Sequence, residues 1–232
     1  MKGFILRFFE GIFYACLLKL SFDMPLRLHF FSVVLLLSFR TCSTYDVIFA
    51  INCGGGAHVD SNGISYDPDT LETGIASSHG LSLAIMRVNE LDRRLYQTER
   101  YSTDSFSYKL PVPPDGDYVL VLKFSEVWFR DPGQKVFDVK INDDISLIKN
   151  LDIYASVGFA TAHDERFQLK FLNGNLYVQD ESTVLSVDHF TVDFKKGARD
   201  NPKINAILLL RGYLDGTGPS ALFDFTSKVM SS

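Results

Sequence analysis

Cysteine is scarce in this chain. Of the three in 232 residues, Cys16 and Cys42 fall in an apolar N-terminal stretch, which leaves Cys53 alone in the remainder. A lone thiol excludes a disulfide within that region, so its fold must rest on a hydrophobic core. Cys53 follows a strand-like run and reads as a small buried hydrophobe. Basic excess is also missing: 23 Lys and Arg stand against 28 Asp and Glu, a net charge of −5, with no Lys/Arg-rich cluster. Binding to phosphate backbones needs a basic face, so a nucleic-acid partner is excluded. Asn-x-Ser/Thr is absent, which removes N-glycosylation of the domain itself. His58, His79, His163 and His189 are far apart, with no partner at ligand spacing, so no metal set is expected. Gly54–Gly56 lacks the Gly-Lys-Ser/Thr of a phosphate loop and is followed by no helical pattern; a tight turn with close backbone approach is the better reading. No cofactor is implied.

What is present begins with a leader. Leu28–Phe39 is apolar except for His29, Ser32 and Ser38, follows Arg27, and precedes Arg40-Thr41-Cys42-Ser43. Basic flank, short apolar run and small residues are the parts of a signal peptide, and the run is shorter than the ~20 residues that span a bilayer. Phe4–Phe22 upstream is apolar too but is broken by Arg7, Glu10 and Lys19, so Met24 is a candidate start; a signal anchor is the competing reading. The chain thus divides into a leader at 1–43, a domain at 44–213 and a polar tail at 214–232.

Within the domain the strand signals recur. Asp46–Asn52, Asp117–Phe129, Val136–Ile141, Phe167–Phe171, Leu176–Val178, Phe190–Phe194 and Ile204–Leu210 are β-rich runs, several of them alternating apolar and polar. Asn173-Gly174 marks a hairpin, since both residues tolerate positive φ. Helical periodicity is weak, and only Leu147–Ser156 is expected to hold a short helix. Strands without alternating helices indicate an all-β sandwich. Two long loops, Gly54 to about Leu81 and Asn89–Phe106, are where function is expected on such a scaffold.

Aromatics make up 13% of the chain, with 20 Phe and 10 Tyr. Trp128 and Phe129 are adjacent at the end of the longest β-rich run. Neighbouring strand side chains point to opposite faces, so one of the two should leave the core unless the backbone turns there. Tyr96 and Tyr101 lie in a polar stretch where core filling does not demand them, and Asp200-Asn201-Pro202 is a turn with free side-chain oxygens. Aromatic faces with a few carboxylates and amides suit an uncharged sugar, the rings covering C–H surface and the polar groups fixing hydroxyls. The bland alternative is that these are core and rim residues. His163-Asp164-Glu165 looks catalytic, but no nucleophile sits in a strand–turn–helix elbow, so a hydrogen-bonded loop anchor is the better reading. No carboxylate pair stands out for glycoside hydrolysis.

At these residues the sequence resembles the malectin family, lectins of the endoplasmic reticulum. The resemblance runs from about Val47 to Tyr213 and is carried by Ile51-Asn52-Cys53-Gly54-Gly55, His58-Val59-Asp60, Leu95–Tyr101, Gly116–Phe124, Gln134–Val139, Thr161–Glu165 and Asp200–Lys203. It implies a jelly-roll-like β-sandwich of the galactose-binding-domain type, no enzymatic activity, and binding of glucose disaccharide units. The ligands implied are glucosylated high-mannose N-glycans on newly made glycoproteins, the compartment the endoplasmic reticulum lumen, and the partners oligosaccharyltransferase components. The carbohydrate-binding positions it implies are His79, Tyr101, Trp128, Phe129 and Asp200.

Two of these depart from the family pattern, which has Tyr where this chain has His79 and Trp128. Trp128 keeps and enlarges the stacking face but loses a phenolic hydroxyl and offers one N–H donor. His79 is smaller and can donate or accept one hydrogen bond. Retained binding with altered strength or linkage preference is therefore expected. Family members also end in an acidic stretch and a membrane helix, and no membrane anchor is visible before Ser232; a soluble luminal or secreted variant and a truncated chain both fit. The alternatives to a lectin are a carbohydrate-active enzyme or its accessory module, and a non-binding interaction domain on the same fold.

Overall fold

A computed structural model describes residues 46–186 and 188–214; the assigned leader, and the tail beyond Leu214, lie outside these. Alternation and turn chemistry set the strands. In chain order they are β1 (Val47–Asn52), β2 (His58–Val59), β3 (Ser65–Pro68), β4 (Ile75–Ser77), β5 (Glu99–Tyr101), β6 (Phe106–Pro111), β7 (Gly116–Phe124) and β8 (Val136–Ile141). They continue with β9 (Ile145–Leu151), β10 (His163–Leu172), β11 (Asn175–Val178), β12 (Glu181–Val184), β13 (His189–Arg199), β14 (Lys203–Ile204) and β15 (Ala206–Arg211). An eight-stranded sheet runs β12-β11-β10-β7-β15-β1-β3-β2, antiparallel save for β1 with β3. A four-stranded sheet runs β6-β13-β8-β9, and a small three-stranded sheet runs β14-β5-β4.

The two larger sheets form the sandwich. Alternate residues of β7 explain how: Tyr118, Leu120, Leu122 and Phe124 join Phe137, Val139, Phe190, Val192 and Phe194 in the core shared by the two sheets. Val119 and Val121 point the other way, into a second cluster with Leu208, Leu210, Tyr66, Ile85, Leu95 and Tyr96. The large sheet is thus covered on both faces, which is why β7 and β15 read as nearly continuous apolar runs rather than alternating ones. Asn173 and Gly174 both adopt positive φ, at 51° and 73°, and close the β10–β11 hairpin as their chemistry requires.

Several expectations need correction. The run from Asp117 does not stay a strand to Phe129 but ends at Phe124, because side chains beyond it capture backbone groups from the ladder. Asn205 Oδ1 accepts the Ser125 amide at 2.9 Å, and Glu126 Oε1 accepts the amides of Trp128 and Phe129 at 2.8 and 3.0 Å. Half of Leu147–Ser156 belongs to β9, and the short helix expected within it is α2 (Ile153–Val157), which Asp152 starts by accepting the Ala155 amide at 2.9 Å. The two long loops carry β2 to β5, a 3₁₀ turn at His79–Ser82 and the helix α1 (Arg94–Gln97). Tyr96, expected at the surface, is buried in the second core, and His163 opens a strand rather than anchoring a loop. Cys53 is fully buried as expected, and burial pushes its thiol far above the usual range, so it is inert.

Candidate functional site

The small sheet β14-β5-β4 makes the floor of a cleft. Ile75 and Lys203 both pair with Tyr101, and Ser77 pairs with Glu99. Strand periodicity of two therefore places Ser77, Glu99 and Tyr101 on one face, with Arg100 turned to the other. Arg100 is locked there by Asp69, whose Oδ2 accepts from its Nε at 2.6 Å. Gly54 packs against this strand with φ +66°, and a Cβ placed on it would come within 1.9 Å of the Glu99 carbonyl oxygen. The triple-glycine turn thus exists so that its backbone can lie against β5.

Above that floor Trp128, Lys135, Asp200 and Asn201 complete a cleft of about 240 Å³, whose other lining residues are Ser77, Glu99 and Tyr101. Trp128 is held from below. Glu126 is buried, and its carboxylate takes the two successive amides of Trp128 and Phe129, so the turn presents the indole outward with 65% of its surface exposed. Lys135, itself buried, lies 3.2 Å from Asp200 Oδ2 and 4.0 Å from Glu126 Oε2, joining the carboxylate on the rim to the one beneath the aromatic turn. Asp200 sits in the left-handed region at φ 45° in the turn between β13 and β14. Lys196 fixes that turn, donating to the Asp200 carbonyl and, at 2.8 Å, to Asn201 Oδ1. The Asp200 side chain stays 29% exposed.

Of the five residues singled out from the sequence, the structure brings Tyr101, Trp128 and Asp200 into the lining of one cleft. His79 stands beside it, its ring edge-on to Trp128 with centroids 5.0 Å apart. Phe129 is not among the lining residues; the Lys135 ammonium lies 5.5 Å from its ring centroid. Sequence reasoning missed Ser77, Glu99, Lys135 and the supporting Glu126. For Glu99 a signal existed: it stands two residues before Tyr101 on a strand, hence on the same face. Among the described residues no His, Cys, Asp and Glu set is grouped to hold a metal ion, and no helix is long and apolar enough to cross a membrane.

A wide aromatic face, one rim carboxylate and a polar floor, in an open cleft without a clustered set of free cations, can hold a flat, hydroxylated, uncharged molecule. The malectin domain model matches residues 47–207. Malectin-A of Xenopus laevis is 47% identical over 171 residues, covering 73% of this chain and 61% of that protein. Malectin of Homo sapiens is 46% identical over 172 residues, covering 73% and 58%. The chain thus spans about three-fifths of the length of these relatives. Among solved structures, the ANXUR2 extracellular domain from Arabidopsis thaliana superposes with a TM-score of 0.59 at 14% identity, over 71% of this chain and 48% of that one. The Bacteroides uniformis beta-glucuronidase does so at 0.52 and 19%, over 71% and 18%. At such identities these two share the β-sandwich fold.

Proposed function

The chain belongs to the malectin family, and from that premise we propose that it is a lectin whose cleft holds a glucose disaccharide at the end of a high-mannose N-glycan. The observation that carries this reading is the exposed indole of Trp128 standing over a cleft that Tyr101 and the Asp200 carboxylate also line. The indole covers the C–H face of one sugar ring, and Asp200 accepts hydroxyl hydrogen bonds, which with a charged acceptor are stronger than neutral ones. Tyr101 supplies a second ring and a hydroxyl. His79 acts through Trp128: its edge contact limits the indole's rotation, so the Tyr-to-His departure falls on the support of the stacking platform. Phe129, half-buried, packs next to Lys135 and keeps that ammonium directed at Asp200.

In this reading the protein binds and releases its glycan without cleaving it. The endoplasmic reticulum lumen, where newly made glycoproteins carry glucosylated glycans, is its compartment, and oligosaccharyltransferase components are its protein partners. A glycan array probed with the purified protein and an Asp200→Ala control tests the core of the proposal. Selective capture of glucose-terminated high-mannose glycans, lost in the control, is expected. Absence of binding to every glucosylated glycan overturns it and leaves an interaction domain; release of free glucose from the bound glycan would make the protein an enzyme.

A further inference from the structure

We infer that Glu99 is a further ligand-contacting residue, a carboxylate in the cleft floor that accepts a sugar hydroxyl and selects neutral over acidic sugars. This deepens the lectin reading and rests on it. Glu99 lines the cleft between Ser77 and Tyr101, on the face of β5 that the strand register turns inward. Among the hydrogen bonds of the described residues it is held through Oε2 alone, which accepts from the ammonium of Lys203. Oε1 accepts no hydrogen bond among these, and the side chain, 9% exposed, lines the cleft.

Lys203 is fully buried, donates also to the Ser125 carbonyl, and is committed to this floor. A buried ion pair adds little net stability over an apolar pair of the same volume. Its position under a binding cleft is better explained by what its second oxygen offers. The strand that carries Glu99 is fixed from three sides, by the close approach of Gly54, by the Arg100–Asp69 pair on its outer face and by β14. A fixed acceptor loses little freedom when it binds, which is what a specificity contact needs.

The charges also predict what the cleft refuses. Lys203 is paired with Glu99 beneath the cleft, and among the charged residues lining it Glu99 and Asp200 outnumber Lys135, so the excess facing a ligand is of carboxylate oxygens. A hydroxyl donates to them; a uronic acid repels them.

The experiment is calorimetric titration of the full chain with a glucose disaccharide and its monodeoxy analogues, comparing wild type, Glu99→Gln and the Glu99→Gln/Lys203→Met pair. The double variant removes both buried charges together, and melting temperatures separate lost binding from lost folding. Both variants are expected to bind the parent sugar about ten- to a hundredfold more weakly. One deoxy analogue should lose a similar factor on wild type and nothing further on Glu99→Gln. Parent affinity unchanged in the variants, or every deoxy analogue keeping its full penalty on them, overturns the role of Glu99 while the lectin reading stands. A wild-type chain that binds no glucose disaccharide overturns both.

Discussion

Trp128 concentrates much of what this site can do in one side chain. It is two-thirds exposed yet not loose, since the amides on either side of its carbonyl reach back to Glu126 and its ring meets the edge of His79. Truncating it removes a stacking surface without opening the core. Trp128→Ala is therefore expected to weaken sugar binding at least tenfold while changing stability by no more than about 0.5 kcal/mol, as for other exposed sites. Trp128→Tyr, restoring the family residue, should stay within tenfold of wild type. Titration calorimetry with a chemical denaturation curve for each variant checks both. Strand alternation led to the expectation that one of Trp128 and Phe129 leaves the core, but the exposure of Trp128 has another cause, since both lie beyond the end of β7 in the turn that Glu126 holds. The burial of Tyr96 was not legible in the sequence. Its polar neighbours Gln97 and Thr98 suggested the surface, but the ring fills the second core and its hydroxyl donates to Asp164 Oδ1 at 2.6 Å, a partner 68 residues away. Long-range partners of this kind leave no local trace.

At the scale of elements, β7 and β10 carry a charged patch on the same face as that second core. Asp164 pairs across the strands with Lys123 at 3.2 Å, while Arg166 Nη2 donates to it at 2.9 Å and the Tyr96 hydroxyl completes its shell. Burial alone would raise the Asp164 carboxyl, but Lys123, the Tyr96 hydroxyl and Arg166 together hold it below the ordinary carboxylate range. The sign follows: a depressed folded-state value contributes stability at every pH above the unfolded one, near 3.8, and that contribution fades as pH falls through the folded one. Asp164→Asn should cost roughly 3 kcal/mol at pH 7 by leaving Lys123 without its counter-charge. The gap between variant and wild type should narrow below about pH 4, where the wild-type carboxyl protonates in the unfolded chain and then in the folded one. Denaturant midpoints from pH 7 to pH 2.5 measure it; a gap constant across that range would refute the assignment. The strong strands β1, β7, β8 and β15 were legible because burial on one or both faces writes an apolar pattern. The two-residue strands β2 and β14, and the three-residue β4 and β5, were not. Each is too short to show a period, and they pair because Gly54, Asp69 and the neighbouring chain hold them in place. Of these, β4, β5 and β14 hold the floor of the cleft, so the least legible elements carry the proposed site.

For the whole molecule, the sandwich supplies a rigid base and the cleft is assembled at its margin from segments distant in sequence. Residue 77 comes from the short strand β4, 99 and 101 from β5, 128 and 135 from the turn after β7, and 200 and 201 from the bend between β13 and β14. A ligand bridging these segments binds the folded state and cannot bind the unfolded chain, where the contributing residues are far apart. Mass action then requires stabilisation on binding, about 2.7 kcal/mol when the free ligand stands at a hundred times its dissociation constant. For a domain of this size that raises the melting temperature by roughly 5–10 °C. The shift should grow with the logarithm of ligand concentration for a glucose disaccharide, and should vanish in Asp200→Ala. A disaccharide ending in glucuronic acid should leave the melting temperature where it was, because it would set a carboxylate against Asp200 and Glu99. Thermal scans at increasing sugar concentration distinguish these cases. An equal shift for the neutral and acidic sugars would mean that the ring faces alone carry the binding, and that the two carboxylates of the cleft do not read the ligand's charge.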